Sequence, residues 1–117
     1  MHELRQRTDH VDERLRSLLL RCAESVQQSH PDARVILYGS QARGEARVDS
    51  DVDMLVLLSS DVSSQDRCRI HDRLYEIGLE EDVVISVIIK SVWRWEQPMS
   101  RATPLYEAIQ HEGILVA

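Results

Sequence analysis

Phenylalanine is absent and aromatic residues make up only 4% of the 117 positions, so Leu, Ile and Val must build the core. Cysteine occurs twice, at Cys22 and Cys68, with no CxxC pairing. A disulfide framework or zinc site has no ligand pattern to rest on, and both are expected as reduced, mostly structural thiols. No apolar run exceeds the five residues Met54–Leu58, far short of the roughly 20 that cross a bilayer. Met1 to Ser17 carries no apolar signal region, so the expectation is a cytoplasmic protein with no membrane partner. Basic residues number 14 against 20 acidic ones, a formal charge of −6. That balance argues against a surface built to grip a long nucleic acid. Single arginines, helix N-termini and metal ions can still hold a phosphate. What is present is an ordinary globular composition, 43% hydrophobic and 29% charged, in a length suited to one domain over residues 1–117.

Apolar residues recur at Val11, Leu15, Leu18, Leu19, Cys22 and Val26, which predicts a helix ended by His30-Pro31. Val35–Tyr38 is a short β-type run closed by Gly39. Gln41–Arg47 reads as one or two helical turns, and Asp51–Leu58 as a second strand. Ser63 or Ser64 opens a helix with Asp66 in its first turn, Ile70, Leu74 and Ile77 on its apolar face, and Gly78 as C-cap. Val83–Ile89 is a third, β-branched strand. Pro104 after Thr103 starts a last helix that Gly113 ends, and Ile114 to Val116 add a short edge strand. This alternation predicts an α/β (α+β) domain, a small mixed β-sheet packed by helices. Only 12 positions separate Gly39 from Asp51, too few for a parallel crossover with its helix. The first two strands are therefore expected to be antiparallel, with Gly39-Ser40 beside Asp51 and Asp53.

Two short segments carry chemistry. Glycine after a strand lets a ligand approach the backbone, and the N–H groups of a following helix can receive phosphate. A tight turn with Ser40 as N-cap is the plainer reading of Gly39-Ser40 alone. The segment Gly39-Ser40-Gln41-Ala42-Arg43-Gly44 is not a Walker loop, which ends in Gly-Lys-Ser/Thr. Asp51 and Asp53 stand at i and i+2, which on a strand puts both carboxylates on one face, roughly 6–7 Å apart. Such a pair is costly on an apolar strand unless a cation lies between them, and hard oxygen ligands suit Mg²⁺ alongside substrate phosphates. A solvated acidic loop is the alternative, and Asp49 fits it.

Together, Leu37-Tyr38-Gly39-Ser40-Gln41-Ala42-Arg43-Gly44 and Ser50-Asp51-Val52-Asp53-Met54-Leu55-Val56 resemble the signature of minimal nucleotidyltransferases, members of the DNA polymerase β-like superfamily. The tail Leu105 to Leu115 is similar to that family's closing helix and glycine. The resemblance implies the nucleotidyltransferase fold, with Gly39 and Ser40 holding the phosphates of ATP. It also implies Asp51 and Asp53 as catalytic ligands of Mg²⁺, in a two-metal arrangement, for transfer of AMP to an acceptor hydroxyl. Arg43 contacts either phosphate or a neighbouring carboxylate. The family usually carries a third carboxylate in the middle of the third strand, and Ser86 holds the matching position here. Asp82, four residues earlier and roughly 13 Å along a strand, is too far to share the metal.

The chain is also similar to antitoxins of HEPN/MNT pairs, which implies a HEPN-type partner protein as acceptor. Nothing in the sequence excludes a homodimer. The alternative is a catalytically weak nucleotide-binding antitoxin that acts by binding its partner. A phosphohydrolase with an aspartate nucleophile fits less well, because here the apolar strand follows the aspartates instead of preceding them. His10, His30, His71 and His111 lack paired ligand spacing and read as surface or helix-packing residues. Trp93 and Trp95 read as core or interface anchors ahead of base-stacking groups, and Lys90 as a solvated strand end.

Overall fold

The computed structural model describes residues 1–4 and 11–117; His10 lies outside them. Asp12 sets the start of the first helix, its carboxylate accepting the Leu15 N–H at 2.8 Å, so α1 runs Glu13–Ser29. Arg34–Tyr38 forms β2, Ser40–Arg43 a single turn α2, and Val52–Leu58 β3. Ser63 caps α3 (Ser64–Glu81), accepting the Asp66 N–H at 3.0 Å. Ile85–Ser91 is β4, and Ile114–Leu115 is β5. Thr103 caps α6 (Pro104–Glu112), with Pro104 at its first position and Gly113 at its end.

Several boundaries differ from the sequence expectation, each for a local reason. The turn after Gly39 stops at Arg43 because Gly44 enters the left-handed region, at φ 74°. Gly78 lies inside α3, and Asp82 is the C-cap at φ 56° and ψ 45°. Gly78 is there for packing: a Cβ on it would stand 2.7 Å from the Val83 carbonyl oxygen. The one-turn helices α4 (Val92–Trp95) and α5 (Pro98–Arg101) carry too few residues for a periodic signal. Strand β5 is not at an edge. The two-residue β1 (His2–Glu3) pairs outside it, tied down by the His2 N–H to the Gly113 carbonyl at 2.8 Å.

Among the described residues, five strands are ordered β1-β5-β2-β3-β4 in a mixed sheet. β2 is antiparallel to β3, as the short connection requires, and β3 is parallel to β4 across the longer crossover through α3. Leu18, Leu19, Cys22, Leu74 and Ile77 from α1 and α3 pack on the face that carries Val35, Leu37, Met54 and Val56. The opposite face, with Ile36, Leu55 and Leu57, is covered by Trp95 and Ile109 of α4 and α6. Trp95 is fully buried, with its ring centroid 4.9 Å from that of Tyr106. Trp93, two residues earlier, is exposed, so only one of the two tryptophans is a core anchor. Cys22 is buried and Cys68 exposed, and both are free thiols. Among the described residues no helix is long and apolar enough to cross a membrane.

Candidate functional site

Antiparallel pairing of β2 with β3 places Tyr38 opposite Asp53. The chain leaves β2 through Gly39 at φ 79° and ψ −159°, a region open essentially to glycine alone. The space is equally restrictive, since a Cβ on Gly39 would stand 2.4 Å from Asp53 Oδ2. The Gly39 carbonyl accepts the Ala42 and Arg43 N–H groups, each at 3.1 Å, which turns the chain into α2. The Gln41 side-chain amide donates to the Ser50 carbonyl at 3.4 Å, and Ser50 Oγ accepts the Arg47 N–H at 2.7 Å. Those bonds fix the exposed loop that delivers Asp51 to the start of β3. The sequence-predicted residues Gly39, Ser40, Asp51 and Asp53 thus meet at one end of the sheet.

Asp51 is exposed and Asp53 half-buried. Strand alternation sets Asp53 on the α6-covered face with Leu55 and Leu57, and Asp51 lies just before the strand. Neither carboxylate has a hydrogen bond or ion pair among the described residues. Partial burial, followed by the negative charge of Asp51, raises the pKa of Asp53; Arg43 opposes that shift and Glu112 adds to it. Tyr38, beneath it, is also raised, by burial and then by Asp53. Two hard oxygen donors with no ion-pair partner have the chemistry of a Mg²⁺ site completed by substrate phosphates. No group of three His, Cys, Asp or Glu side chains that could hold a metal occurs among the described residues.

Arg43 points to carboxylates: Nη1 lies 2.9 Å from Glu112 Oε2, and Nε 3.5 Å from Glu45. Glu112 is the residue that sequence reasoning missed. Its Oε2 also accepts the Gly39 N–H at 2.8 Å, so one oxygen ties the last residue of α6 to both ends of the α2 turn. A signal was present. A carboxylate in the last turn of a helix opposes the macrodipole and has to be held by something else, here a backbone N–H and an arginine. Since Glu112 occupies the Gly39 N–H, the N–H groups left for an anion on this turn are those of Ser40 and Gln41.

Other candidates lie outside this cluster. Ser86 is the register partner of Asp53 across the β3–β4 pair, so the strand neighbour of Asp53 brings a hydroxyl where the resemblance expects a carboxylate. Asp82 caps α3 instead of lying on β4 and is not among the charges that set the state of Asp53. Lys90 pairs with Leu57, four residues along β4 from Ser86, towards the opposite end of the sheet. A cavity of about 510 Å³ opens behind the loop, among Arg14, Gln41, Arg47 and Glu81. Its lining includes neither Asp51 nor Asp53.

Residues 19–111 match the family model described as the nucleotidyltransferase domain. Over 56 residues, 48% of this chain, the sequence is 39% identical to a Methanocaldococcus jannaschii protein named "Putative protein adenylyltransferase". That match spans 57% of the relative, so the chain covers little more than half its length. A chain of a toxin–antitoxin complex crystallised with AMP-PNP superimposes with a TM-score of 0.58 at 16% identity, over 84% of this chain and 72% of that one. A chain of the Shewanella oneidensis complex between a tri-AMPylated HEPN toxin and an MNT antitoxin gives 0.54 at 14% identity, over 87% and 71%. These structures share the fold. The family match runs through both halves of the site, Gly39-Ser40 and Asp51-Asp53, and spans most of the sequence; the chain belongs to the nucleotidyltransferase domain family.

Proposed function

We propose that the protein transfers AMP from ATP to a hydroxyl on a partner protein. The observation that carries this reading is the couple Asp51 and Asp53, without ion-pair partners among the described residues, set against a glycine whose backbone conformation and close approach to Asp53 disfavour any side chain. Asp51 and Asp53 would hold Mg²⁺, which when bound neutralises phosphate charge and polarises the P–O bond under attack. Gly39 and Ser40 would form the phosphate cradle, Gly39 by lacking a side chain and Ser40, with Gln41, by its free backbone N–H, while Glu112 fixes the backbone through Gly39. The acceptor oxygen bonds to the α-phosphorus, the bond to the α–β bridging oxygen breaks, and pyrophosphate leaves. The acceptor proton passes to water, which exposed Asp51 and Ser86 leave in contact with the site. Positioning and charge neutralisation are what this chemistry asks of a protein. Structural likeness to the AMP-PNP and tri-AMPylated complexes favours a HEPN-type protein as acceptor.

The test incubates the protein with labelled ATP, Mg²⁺ and the product of the neighbouring gene. Label is expected on that product, and the Asp51→Asn/Asp53→Asn variant should transfer it about 100-fold more slowly or worse, since losing even an outer-shell partner of a metal ligand costs about 10–100-fold. Absence of transfer under conditions where the two proteins bind each other rejects the reading. A second reading is favoured by Ser86 beside Asp53: a nucleotide-binding antitoxin that neutralises its partner by contact. In that case the double variant binds and neutralises as well as the wild type.

A further inference from the structure

Among the described residues, strand β4 has no neighbour on its outer side. The Val52 N–H donates to the Val84 carbonyl at 2.9 Å. The alternation of a parallel ladder then turns the backbone groups of Val84, Ser86 and Ile88 towards β3, and those of Ile85, Val87 and Ile89 outward. One outward group is used: Arg67 of α3 donates to the Ile89 carbonyl at 2.8 Å. The groups of Ile85 and Val87 have no partner among the described residues, and such an edge is a template for another strand.

A groove of about 660 Å³ runs beside this edge. Arg67, His71 and Arg94 line it with Val87 to Ser91 of the strand, Lys90 among them, against one carboxylate, Asp61. Neither Lys90 nor Arg94 is in an ion pair among the described residues. In a chain of net charge −6 this is a local reversal of sign. Further along α3, Tyr75 and Leu79 continue the i, i+4 row of Arg67 and His71, and both are exposed, as is Val84.

Charge and backbone together select the occupant. A second copy would bring two basic grooves against each other. A nucleic acid matches the charge but has no peptide groups for Ile85 and Val87, and the overall charge of the chain opposes it. An extended segment with acidic residues satisfies both features. Its placement also bears on the chemistry. Ser86 and Asp53 are register partners, and Lys90 lies four residues, about 13 Å, from Ser86 along the strand. We infer that the open edge of β4 docks an extended, acidic segment of the acceptor protein. The acidic end of that segment meets the groove at Lys90 and Arg94, and the residue opposite Ser86 presents its hydroxyl towards Asp53. This inference rests on the reading that the acceptor is a protein.

The probe is a twelve-residue peptide with three glutamates at one end and alternating threonine and valine in the remainder, beside a counterpart with three lysines, titrated into the full chain while backbone amide resonances are followed. The glutamate peptide should shift the amides of Ile85, Val87 and Ile89, and Lys90→Glu/Arg94→Glu should weaken its binding at least about tenfold. Lys90→Gln/Arg94→Gln should give an intermediate loss, with far-UV circular dichroism unchanged in both variants. Equal binding of the lysine peptide overturns the inference. So does a response to inorganic triphosphate or to the glutamate peptide that leaves the three edge amides unmoved, which would mean an anion site only. Edge amides already protected from exchange in a dimer of the free protein would assign the edge to a second copy and also overturn it. Transfer that fails while the edge responds rejects the transferase reading alone, and transfer that proceeds while the edge stays silent rejects the docking alone.

Discussion

Gly39 and Asp53 are coupled at the scale of single atoms. Adding one methyl group at Gly39 forces the backbone out of its φ 79°, ψ −159° conformation or drives Asp53 Oδ2 from a position 2.4 Å away. Gly39→Ala is therefore expected to lower stability by about 1–3 kcal/mol, read from urea denaturation midpoints. An unchanged midpoint would mean that the turn accepts a side chain. Asp53 gives a prediction of opposite sign. Its folded-state pKa is raised, by burial first and by Asp51 second, so the folded chain holds this proton more tightly than the unfolded one. The stability from this group is fully present below the ordinary carboxylate pKa and is lost as pH rises through the raised value. Without divalent cations, Asp53→Asn should consequently be more stable than the wild type at neutral pH, with the difference shrinking towards pH 4. Urea midpoints measured across that interval in a chelator check it. A difference that does not vary with pH would show that the charge of Asp53 is not the cause.

At the scale of elements, the joint between α3 and β4 shows how two rules compete. Helix propensity alone says that Gly78→Ala should stabilise α3 by up to about 1 kcal/mol. Packing says the opposite, because the new Cβ would lie 2.7 Å from the Val83 carbonyl oxygen, where the Val83 N–H returns to the Gly78 carbonyl at 2.9 Å. Overpacking against backbone costs roughly 1–3 kcal/mol, so Gly78→Ala should be destabilising by about 1 kcal/mol, visible as a lower thermal midpoint. A higher midpoint would mean that the joint relaxes freely. The same competition explains what could be read in advance. The central strands, α1, α3 and α6 were legible because each has a long apolar period or a capping residue, and the short Gly39–Asp51 connection dictated the antiparallel pair that assembles the site. The C-cap was misplaced at Gly78 because glycine serves tight packing as well as left-handed caps. Strand β1 escaped because two residues have no period, and its partner β5 is distant in sequence. Glu112 escaped for a related reason: its contacts with Gly39 and Arg43 span 73 and 69 positions.

For the molecule as a whole, a net charge of −6 and a carboxylate pair at the sheet end oppose a bare polyphosphate ligand, and linkage with a cation reconciles the two. At the proposed site ATP alone would meet the carboxylates of Asp51, Asp53 and Glu112 and should bind poorly. Mg²⁺ alone would be held by two carboxylates, with water in its remaining positions, and should bind weakly. Each supplies what the other lacks, so their effects on stability should be strongly cooperative. At about a hundredfold excess over Kd, a ligand that binds only the folded chain adds about 2.7 kcal/mol. For a chain of this size, at about 4 °C per kcal/mol, the melting temperature should rise by roughly 10 °C with both present. ATP or Mg²⁺ by itself should give a small fraction of that, and Asp51→Asn/Asp53→Asn should abolish the joint response. A 20-nucleotide RNA or DNA strand with Mg²⁺ should give none, because the net charge of −6 opposes a long polyanion and, among the described residues, the basic groove beside β4 is separated from the carboxylates by about four residues of strand. A thermal shift with ATP that ignores Mg²⁺, or an equal shift with the oligonucleotide, would mean that the anion is held elsewhere on the molecule. In that event the carboxylate pair would have to be a structural feature of the turn at Gly39.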